Sequence, residues 1–585
     1  MAIPFLPKRF ALMACAALLS LGLGSQFSDA QDFERYKPKT LDTPQNNIPQ
    51  IQSSEIEATG SDKVLVKRLD AIKVLDAAAK VNPQDANAKA KGMILDFADR
   101  ESLVYSEQFQ SILQNYIGGP ISLRKLNQLS RDIIQYYRQS DQPVVDVQIP
   151  EQKITGGTVQ IIIVESRVGD VIMEAGPYYN RDILKKFIGS TYSGSRVYES
   201  SIMDDLFWLN QSPFRIVDVD LRPGSVEGTT DVVFHSNEVL PWRAYLGYED
   251  SGVRGLDLER TYAGLVWGNA MGRNGMLSYQ YTANATFDKL HAHAATWQKA
   301  FNREWSGQLS GSWATFSPTI LPFLTQNGES WQATGQVFRH LQKNRYIDQS
   351  ISLGMDYKST NNNLEFGGVN VLGTGADLVN LRLGFRHLAR QDNGDYFLIQ
   401  NDLFVGPGNG FTAGHNAAAF STIRAATTPD YIYNRLRTQS RFDMGDMQLV
   451  VRNVGQYAFD RLLFSETLGM GGYDSIRGYD QRVFNGDSGW ITNVEFGPKP
   501  FELAGGSCNF YGFFDMGKAY TRDPQPGEFN DLFLMSTGLG MRLSLSESSQ
   551  LRLDYGHGLE RAPGIATRDR IHVGYVHQFG PRPAK

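Results

Sequence analysis

The chain has 585 residues, more than one ordinary domain of about 100 to 200 residues holds unless part of it is a large barrel. Aromatic content of 11%, 57 glycines and only 41% hydrophobic residues favour strands and turns over a helical membrane protein. A formal net charge of −5 is too mild to indicate a nucleic-acid binder, and no basic block changes that.

Residues 1–30 read as a signal peptide. Lys8 and Arg9 form a basic start, Phe10 to Leu23 an apolar run too short to span, and Ser28-Asp29-Ala30 a small-x-small cleavage site, so the mature chain starts at Gln31. A lipobox reading, Leu12-Met13-Ala14-Cys15, leaves only five apolar residues between Arg9 and Cys15, fewer than a signal core needs. Cys15 leaves with the signal and Cys508 remains alone, so no internal disulfide can form. After residue 30 no uninterrupted apolar run reaches about 18 residues. A closed barrel is then the architecture with which this chain could cross a membrane.

Residues 31–60 are polar, proline-bearing and without period, and read as a flexible leader. From 61 to 166 the order is strand, helix, helix, strand, strand. KVLVKRLDAIKVL reads as a strand segment, and SEQFQSILQNYI places Phe109, Ile112, Leu113, Tyr116 and Ile117 at helical spacing behind a Ser106 cap. Gly118-Gly119-Pro120 stops that helix. SLRKLNQLSRDIIQYY follows as a second amphipathic helix, and VVDVQIPEQKITGGTVQIIIVE as a hairpin turning at Thr155-Gly156-Gly157. The same order recurs over 167–239: RVGDVIMEAG as a strand, NRDILKKFIG as a helix capped by Asn180 and stopped by Gly189, SIMDDLFWLN as a second helix, and a hairpin around Arg222 to Gly228. Two successive copies of one supersecondary pattern make an internal repeat of structure.

From 240 to 585 the helical period disappears. WRAYLGYE, LVNLRLGFRH, TGLGMRLSLS, LRLDYG and RIHVGYVHQF alternate; Val379, Leu381, Leu383 and Phe385 fall on one face, Asn380, Arg382, Gly384 and Arg386 on the other. Alternation with a polar second face is the signature of a transmembrane barrel, and roughly 340 residues at roughly 20 per strand and connection give about 16 strands. The predicted fold is therefore a pair of α+β repeats followed by an all-β transmembrane barrel of about 16 antiparallel strands. A soluble sandwich would have many fewer strands, and aromatic strand ends such as Tyr575 and Phe579 favour lipid.

One stretch of this region stands apart. GGYDSIRGYDQRVFNGDSGW, 471–490, sets a single arginine, Arg477, among glycine-rich turns between strand-like DRLLFSETL and GWITNVEFG. In NFYGFFDMGKAY, period two puts Phe513, Asp515 and Gly517 on one face and Phe514 and Met516 on the other. With Phe514 and Met516 toward lipid, Asp515 faces the lumen and offers a carboxylate to an arginine folded inward; a bidentate pair fixes such a loop more sharply than a lysine could. Taken alone, an arbitrary arginine is more often a surface decoration.

The pair of motifs carries a resemblance. Ser475-Ile476-Arg477-Gly478-Tyr479 and Phe513-Phe514-Asp515-Met516-Gly517 resemble, in order and separation, the inward-folded loop and its strand partner in the TpsB transporters of two-partner secretion. These are the haemolysin secretion/activation family within the superfamily of POTRA (polypeptide-transport-associated) outer-membrane translocases. Ile476 stands where valine is usual. The resemblance covers about 61–579, and two POTRA-like repeats are the TpsB number. It implies a lumenal element built from Arg477, Gly478, Tyr479, Phe513, Asp515 and Gly517, with no catalytic residue, metal or cofactor. It also implies a monomeric protein of the bacterial outer membrane with its POTRA domains in the periplasm, and a secreted TpsA-like exoprotein as client. Strand addition along VVDVQIP and FRIVDVDLRP, through Val145, Val147, Ile216 and Val219, is the expected mode of client capture. The alternative is an outer-membrane insertase of the same superfamily.

Two departures stand beside the match. Pro38, Pro44 and Pro49 disfavour the plug helix that relatives carry in the leader, and Phe579 is followed by Gly-Pro-Arg-Pro-Ala-Lys where relatives end on an aromatic residue. Rival chemistries find less support. The nine histidines accompany no nucleophile motif, G-x-x-x-x-G-K-[ST] is absent, and GPGNG at 406–410 reads as a turn. His291-Ala292-His293 puts two imidazoles on one strand face without a carboxylate or thiol cluster to complete a metal site, so a lumenal or interfacial surface is expected.

Overall fold

The computed structural model describes residues 36–39, 59–82, 90–253, 255–321, 324–325, 327–360, 375–503, 506–562 and 568–582. The signal peptide and most of the leader lie outside these. The chain divides into two compact units, one holding the described residues of 59–238 and one holding 36–39 with 239–582.

The first unit contains, in chain order, β1 (Val64–Val66), β2 (Ala71–Leu75), β3 (Gly92–Asp96), α1 (Glu107–Gln114), β4 (Ile121–Ser122), α2 (Leu123–Gln139), β5 (Val145–Gln148), β6 (Thr158–Glu165), β7 (Arg167–Glu174), α3 (Arg181–Lys185), α4 (Glu199–Leu209), β8 (Arg215–Pro223) and β9 (Thr229–Glu238). The KVLVKRLDAIKVL segment is thus two strands, not one. β1 pairs with β4, and β2 enters a four-stranded sheet in the order β3-β2-β6-β5. Sequence reading missed β3, whose residues lie parallel to β2 from Gly92 opposite Ala71 onward.

Both helices of the first repeat begin where serine can satisfy an orphan amide: Ser106 Oγ accepts from Phe109 N–H at 3.1 Å and Ser122 Oγ from Lys125 N–H at 3.3 Å. α1 ends at Gln114, so Tyr116 and Ile117 sit in the following turns. Leu126, Leu129, Ile133 and Tyr137 of α2 join Val74, Val159, Ile161 and Ile163 of the sheet in one buried core. The second repeat forms a three-stranded sheet, β7-β9-β8. Asn180 caps α3, accepting from Asp182 N–H at 2.8 Å. Asp205, fully buried on α4, accepts from the amides of Gly189, Ser190 and Thr191 at 2.9, 2.9 and 2.8 Å and so holds the turn after α3. Asp99 meets Arg167 at 3.2 Å and Arg196 at 2.8 Å, tying the repeats together.

In the second unit the described residues form sixteen long antiparallel strands closed into a barrel; the short segment Phe501–Leu503 only extends the pairing of Gly506–Tyr520. Closure joins the first strand, Trp242–Glu249, to the last, Asp569–Phe579, with Ala244 opposite Phe579 and Glu249 opposite Gly574. Beyond it the tail returns a contact, Arg243 donating to the Pro581 carbonyl at 3.4 Å. The alternation read from sequence separates the two faces: Leu381 and Leu383 are exposed on the outside, whereas Asn380 is buried within. Connections are short at one end, as at Gly445-Asp446, and long at the other, as at 406–431 and 459–487. His291 and His293 face outward, each ring nitrogen 2.7 Å from a tyrosine hydroxyl (Tyr281 and Tyr279), and His293 stacks on Trp313. That is an interfacial aromatic belt.

One reading needs correction. DRLLFSETL is not a barrel strand: the wall strand before the arginine is Met447–Ala458, and Leu462 and Leu463 turn inward into a buried cluster with Phe404, Phe420, Tyr431 and Tyr433. Their apolar side chains mimic a lipid face but find partners in the lumen. Of the leader, residues 36–39 are described beside the barrel. Tyr36 is buried among Val253, Leu256, Leu290, Ala292, Ala294, Ala314 and Phe316 of the barrel. Lys39 donates its backbone N–H to Tyr245 Oη at 2.9 Å and its Nζ lies 3.2 Å from Glu249.

Candidate functional site

The connection 459–487 joins wall strands Met447–Ala458 and Ser488–Pro498 at the long-loop end, yet it folds back into the barrel. Its two limbs pair as a small hairpin, Leu468 opposite Gly486 and Met470 opposite Phe484. Leu468, Met470, Ile476 and Tyr479 are buried against Ile491, Ala519 and Leu534 of the inner wall. Burying these apolar side chains offsets part of the entropy lost in fixing so glycine-rich a loop.

At the loop's tip Arg477 is buried and meets Asp515 in the fork geometry that a guanidinium offers a carboxylate: Nε to Oδ2 at 2.8 Å and Nη2 to Oδ1 at 2.8 Å. The Arg477 backbone N–H adds a third bond to Oδ2 at 3.1 Å. Asn493, directly opposite Asp515 in the wall, donates to Oδ1 at 2.9 Å and also to the Ser475 carbonyl. The Arg477 guanidinium further lies 3.5 Å from the Phe513 ring centre, a close cation–π contact.

Gly478 and Gly517 have separate reasons to lack side chains. Gly478 sits at φ +94°, and a Cβ there would stand 2.9 Å from Gly558 N and 3.0 Å from Gly556 C, on a stretch of wall that is itself glycine. At Gly517 a Cβ would come within 2.8 Å of the Trp490 carbonyl and 3.1 Å of Ile476 Cδ1, closing the seat of the loop. Tyr479 completes the lock, its single hydroxyl hydrogen placed to donate to the carbonyl of Met535 at 2.9 Å or of Glu560 at 2.8 Å while its oxygen accepts from Glu560 N–H at 3.0 Å. All six lumenal residues singled out from sequence therefore meet in one place.

Sequence reading missed two further carboxylates around Arg477. Glu495 lies 2.9 Å from its Nη1 and Asp554 3.4 Å. Glu495 also pairs with Arg452 at 2.9 Å and Arg542 at 3.1 Å, and Asp554 accepts from Tyr511 Oη at 2.6 Å. The signal existed: period two in WITNVEF puts Asn493 and Glu495 on the face of Ile491, and in LRLDYG it puts Arg552 and Asp554 together. The result is a buried lattice of alternating charges, able to hold a loop in one position but offering no nucleophile with a base.

The four residues proposed for strand addition are not gathered into a site. β5 and β8 are edge strands of their sheets. Val145 and Val147, however, pack against the core of the first repeat, and Ile216 and Val219 fall on opposite faces of β8. These edges offer main-chain groups rather than those side chains.

Comparison with known proteins finds matches in both units. Residues 228–543 match the family model described as haemolysin secretion/activation protein ShlB/FhaC/HecB, and residues 96–166 match the POTRA domain of ShlB type. The heme/hemopexin transporter protein HuxB of Haemophilus influenzae is 21% identical over 521 residues, covering 83% of this chain and 86% of that protein. The outer membrane transporter CdiB of Dickeya dadantii is 21% identical over 489 residues, covering 81% and 84%. Among solved structures, CdiB from Escherichia coli superposes with a TM-score of 0.59 at 15% identity, over 92% of this chain and 94% of that one. BamA from Haemophilus ducreyi lacking POTRA domains 1–3 superposes with a TM-score of 0.53 at 12% identity, over 82% and 98%.

Proposed function

Because the chain belongs to the haemolysin secretion/activation family ShlB/FhaC/HecB, we propose that it captures an unfolded exoprotein on its POTRA repeats and passes it through the barrel, with the Arg477 loop as the movable part of the constriction. It is an outer-membrane transporter of two-partner secretion, its barrel in lipid and its POTRA region in the periplasm. The long connections then lie outside the cell, the short turns toward the periplasm. We place the two POTRA units at 61–166 and 167–239 and the barrel from 240. A single observation carries the reading: the family match falls on the stretch of wall that seats the inward loop.

Capture uses the free edges of β5 and β8. Main-chain pairing holds an extended client without demanding one sequence, and the outward Asp146, Gln148 and Asp220 keep these edges soluble. Transport requires that the lattice around Arg477 be left intact in the wall while the loop withdraws. Glu495 keeps Arg452 and Arg542, and Asp554 keeps Tyr511, so the loop can leave without stripping the wall of every counter-charge. Client folding outside the cell supplies the direction. Neither step involves catalysis, a metal or a cofactor, and one copy suffices.

The test is co-expression with an exoprotein encoded beside this gene, scoring the client in medium against periplasm. Client in the medium that depends on this chain supports transport. Loss of other outer-membrane proteins on depletion, with the client unaffected, would instead indicate an insertase.

A further inference from the structure

The outer end of the barrel is organised around a carboxylate that neither sequence motif includes. Asp487, on the return limb of the arginine loop, is fully buried. It accepts from Nη1 and Nη2 of Arg424 at 2.6 and 3.0 Å, from the backbone N–H of Leu462 at 2.9 Å, and from the backbone N–H of Arg522 at 2.8 Å. Those donors belong to three different outer connections. Arg424 ends a short helix, Ala417–Ile423, in the connection 406–431; Leu462 lies on the outgoing limb of the arginine loop; Arg522 follows wall strand Gly506–Tyr520.

A second cross-tie repeats the arrangement. Arg461 donates to the carbonyls of Ala425 at 2.8 Å and Arg522 at 2.9 Å and pairs with Glu528. Arg424 itself donates to the Leu462 carbonyl at 2.6 Å and lies over the Phe464 ring at 4.9 Å. Beside these ties, Phe420 and Ile423 of the short helix are buried on Phe404 and Tyr433 of the inner wall together with Tyr431, Leu462 and Leu463 of the connections. The helix is therefore seated against the inner wall, and the carboxylate that holds its terminal Arg424 also fixes the limb that carries Arg477.

We propose that Asp487 is a positioning residue that locks the helix Ala417–Ile423 to the arginine loop, so that the outer mouth and the Arg477 constriction open as one event. A buried carboxylate with four donors from three segments is satisfied only when all three are in place, which makes their release cooperative. The inference rests on the transporter reading for its purpose, but its test does not need a client.

The experiment uses the purified full chain in planar lipid bilayers and compares Asp487→Asn, Arg424→Gln, Arg477→Ala and the double variant Asp487→Asn/Arg477→Ala. Asp487→Asn keeps the shape and removes the charge; Arg424→Gln removes the helix's side of the tie and serves if the first variant does not fold, as judged by heat-modifiable migration. Open probability should rise about tenfold or more in each single variant, the scale of a lost charged hydrogen bond, and because both ties oppose one shared event the two factors should multiply in the double variant until the pore is fully open; Asp487→Asn alone should also expose the 471–482 segment to protease. Arg424→Lys should recover part of the closure. Folded single variants that stay as closed as the native chain would overturn the proposal, as would an Asp487→Asn chain whose 471–482 segment stays as protease-resistant as in the native chain. A native chain that gates in this way yet exports no client would instead refute the secretion reading and leave the latch standing.

Discussion

Arg477→Ala removes the one side chain that joins loop to wall through three carboxylates. Asp515 would be left fully buried with Asn493 and the residue-477 backbone N–H as remaining donors. Breaking a buried pair by removing one partner costs about 3 to 5 kcal/mol. The two surviving bonds to Asp515, and the arginines that Glu495 keeps, place this case near the lower end, about 3 kcal/mol, or roughly two orders of magnitude in the ratio of docked to withdrawn loop. The wall itself is untouched, because Asp515 pairs through its backbone with Asn493 and Ser536 in the sheet. The variant should reach the membrane and migrate as a folded, heat-modifiable barrel, expose its 471–482 segment to protease, and export client at a small fraction of the native rate. Arg477→Lys keeps the charge but not the fork and should fall between. Native export with a protease-resistant loop in Arg477→Ala would refute the reasoning.

Other consequences can be measured alongside. Gly478→Ala should undock the loop as fully as Arg477→Ala, since φ +94° and a wall 2.9 Å from the new Cβ both oppose it, whereas Gly445→Ala, at φ +82° in an open turn, should cost only about 1 kcal/mol in thermal stability. Hydrogen exchange of the full chain with an extended client peptide should show protection at 145–148 and 215–223; protection confined to the opposite edges, β3 and β7, would contradict strand addition at β5 and β8. The Glu101 backbone N–H and the Arg196 guanidinium hold the Asp99 carboxyl below its ordinary value. A depressed carboxylate stabilises above its unfolded pKa, near 4, and loses that contribution as pH falls through the lower folded value. Thermal melts of Asp99→Asn should thus lie below the native chain's from pH 8 to pH 5, and the gap should close only under strongly acid conditions.

Much of this was legible because period two survives in lipid-facing strands. Leu381 and Leu383 against Asn380 and Arg382 needed only alternation to be assigned to opposite faces, and Ser106 and Asn180 announced their helices through their caps. What failed did so where local pattern and tertiary partner part company. Leu462 and Leu463 look like strand residues until the lumenal aromatics that bury them are known, and Gly92–Asp96 is too short to signal without its parallel neighbour β2. At the site, the arginine and its aspartate were readable as a motif pair. The shared roles of Glu495 and Asp554 were not, because each lies on its own wall strand and only the side-by-side pairing of four consecutive strands, with the loop folded onto them, brings them within reach of Arg477.

Passage of the client through the lumen is the central claim, and a stalled client tests it most directly. An exoprotein fused to a tightly folded carboxy-terminal domain should arrest in transit, with photo-reactive residues placed at Ser352 and Gln439 on the inner wall and at Leu353 and Leu381 on the outer. Cross-links from Ser352 and Gln439 but not from Leu353 or Leu381 are the predicted result; client captured from the lipid face alone would contradict it.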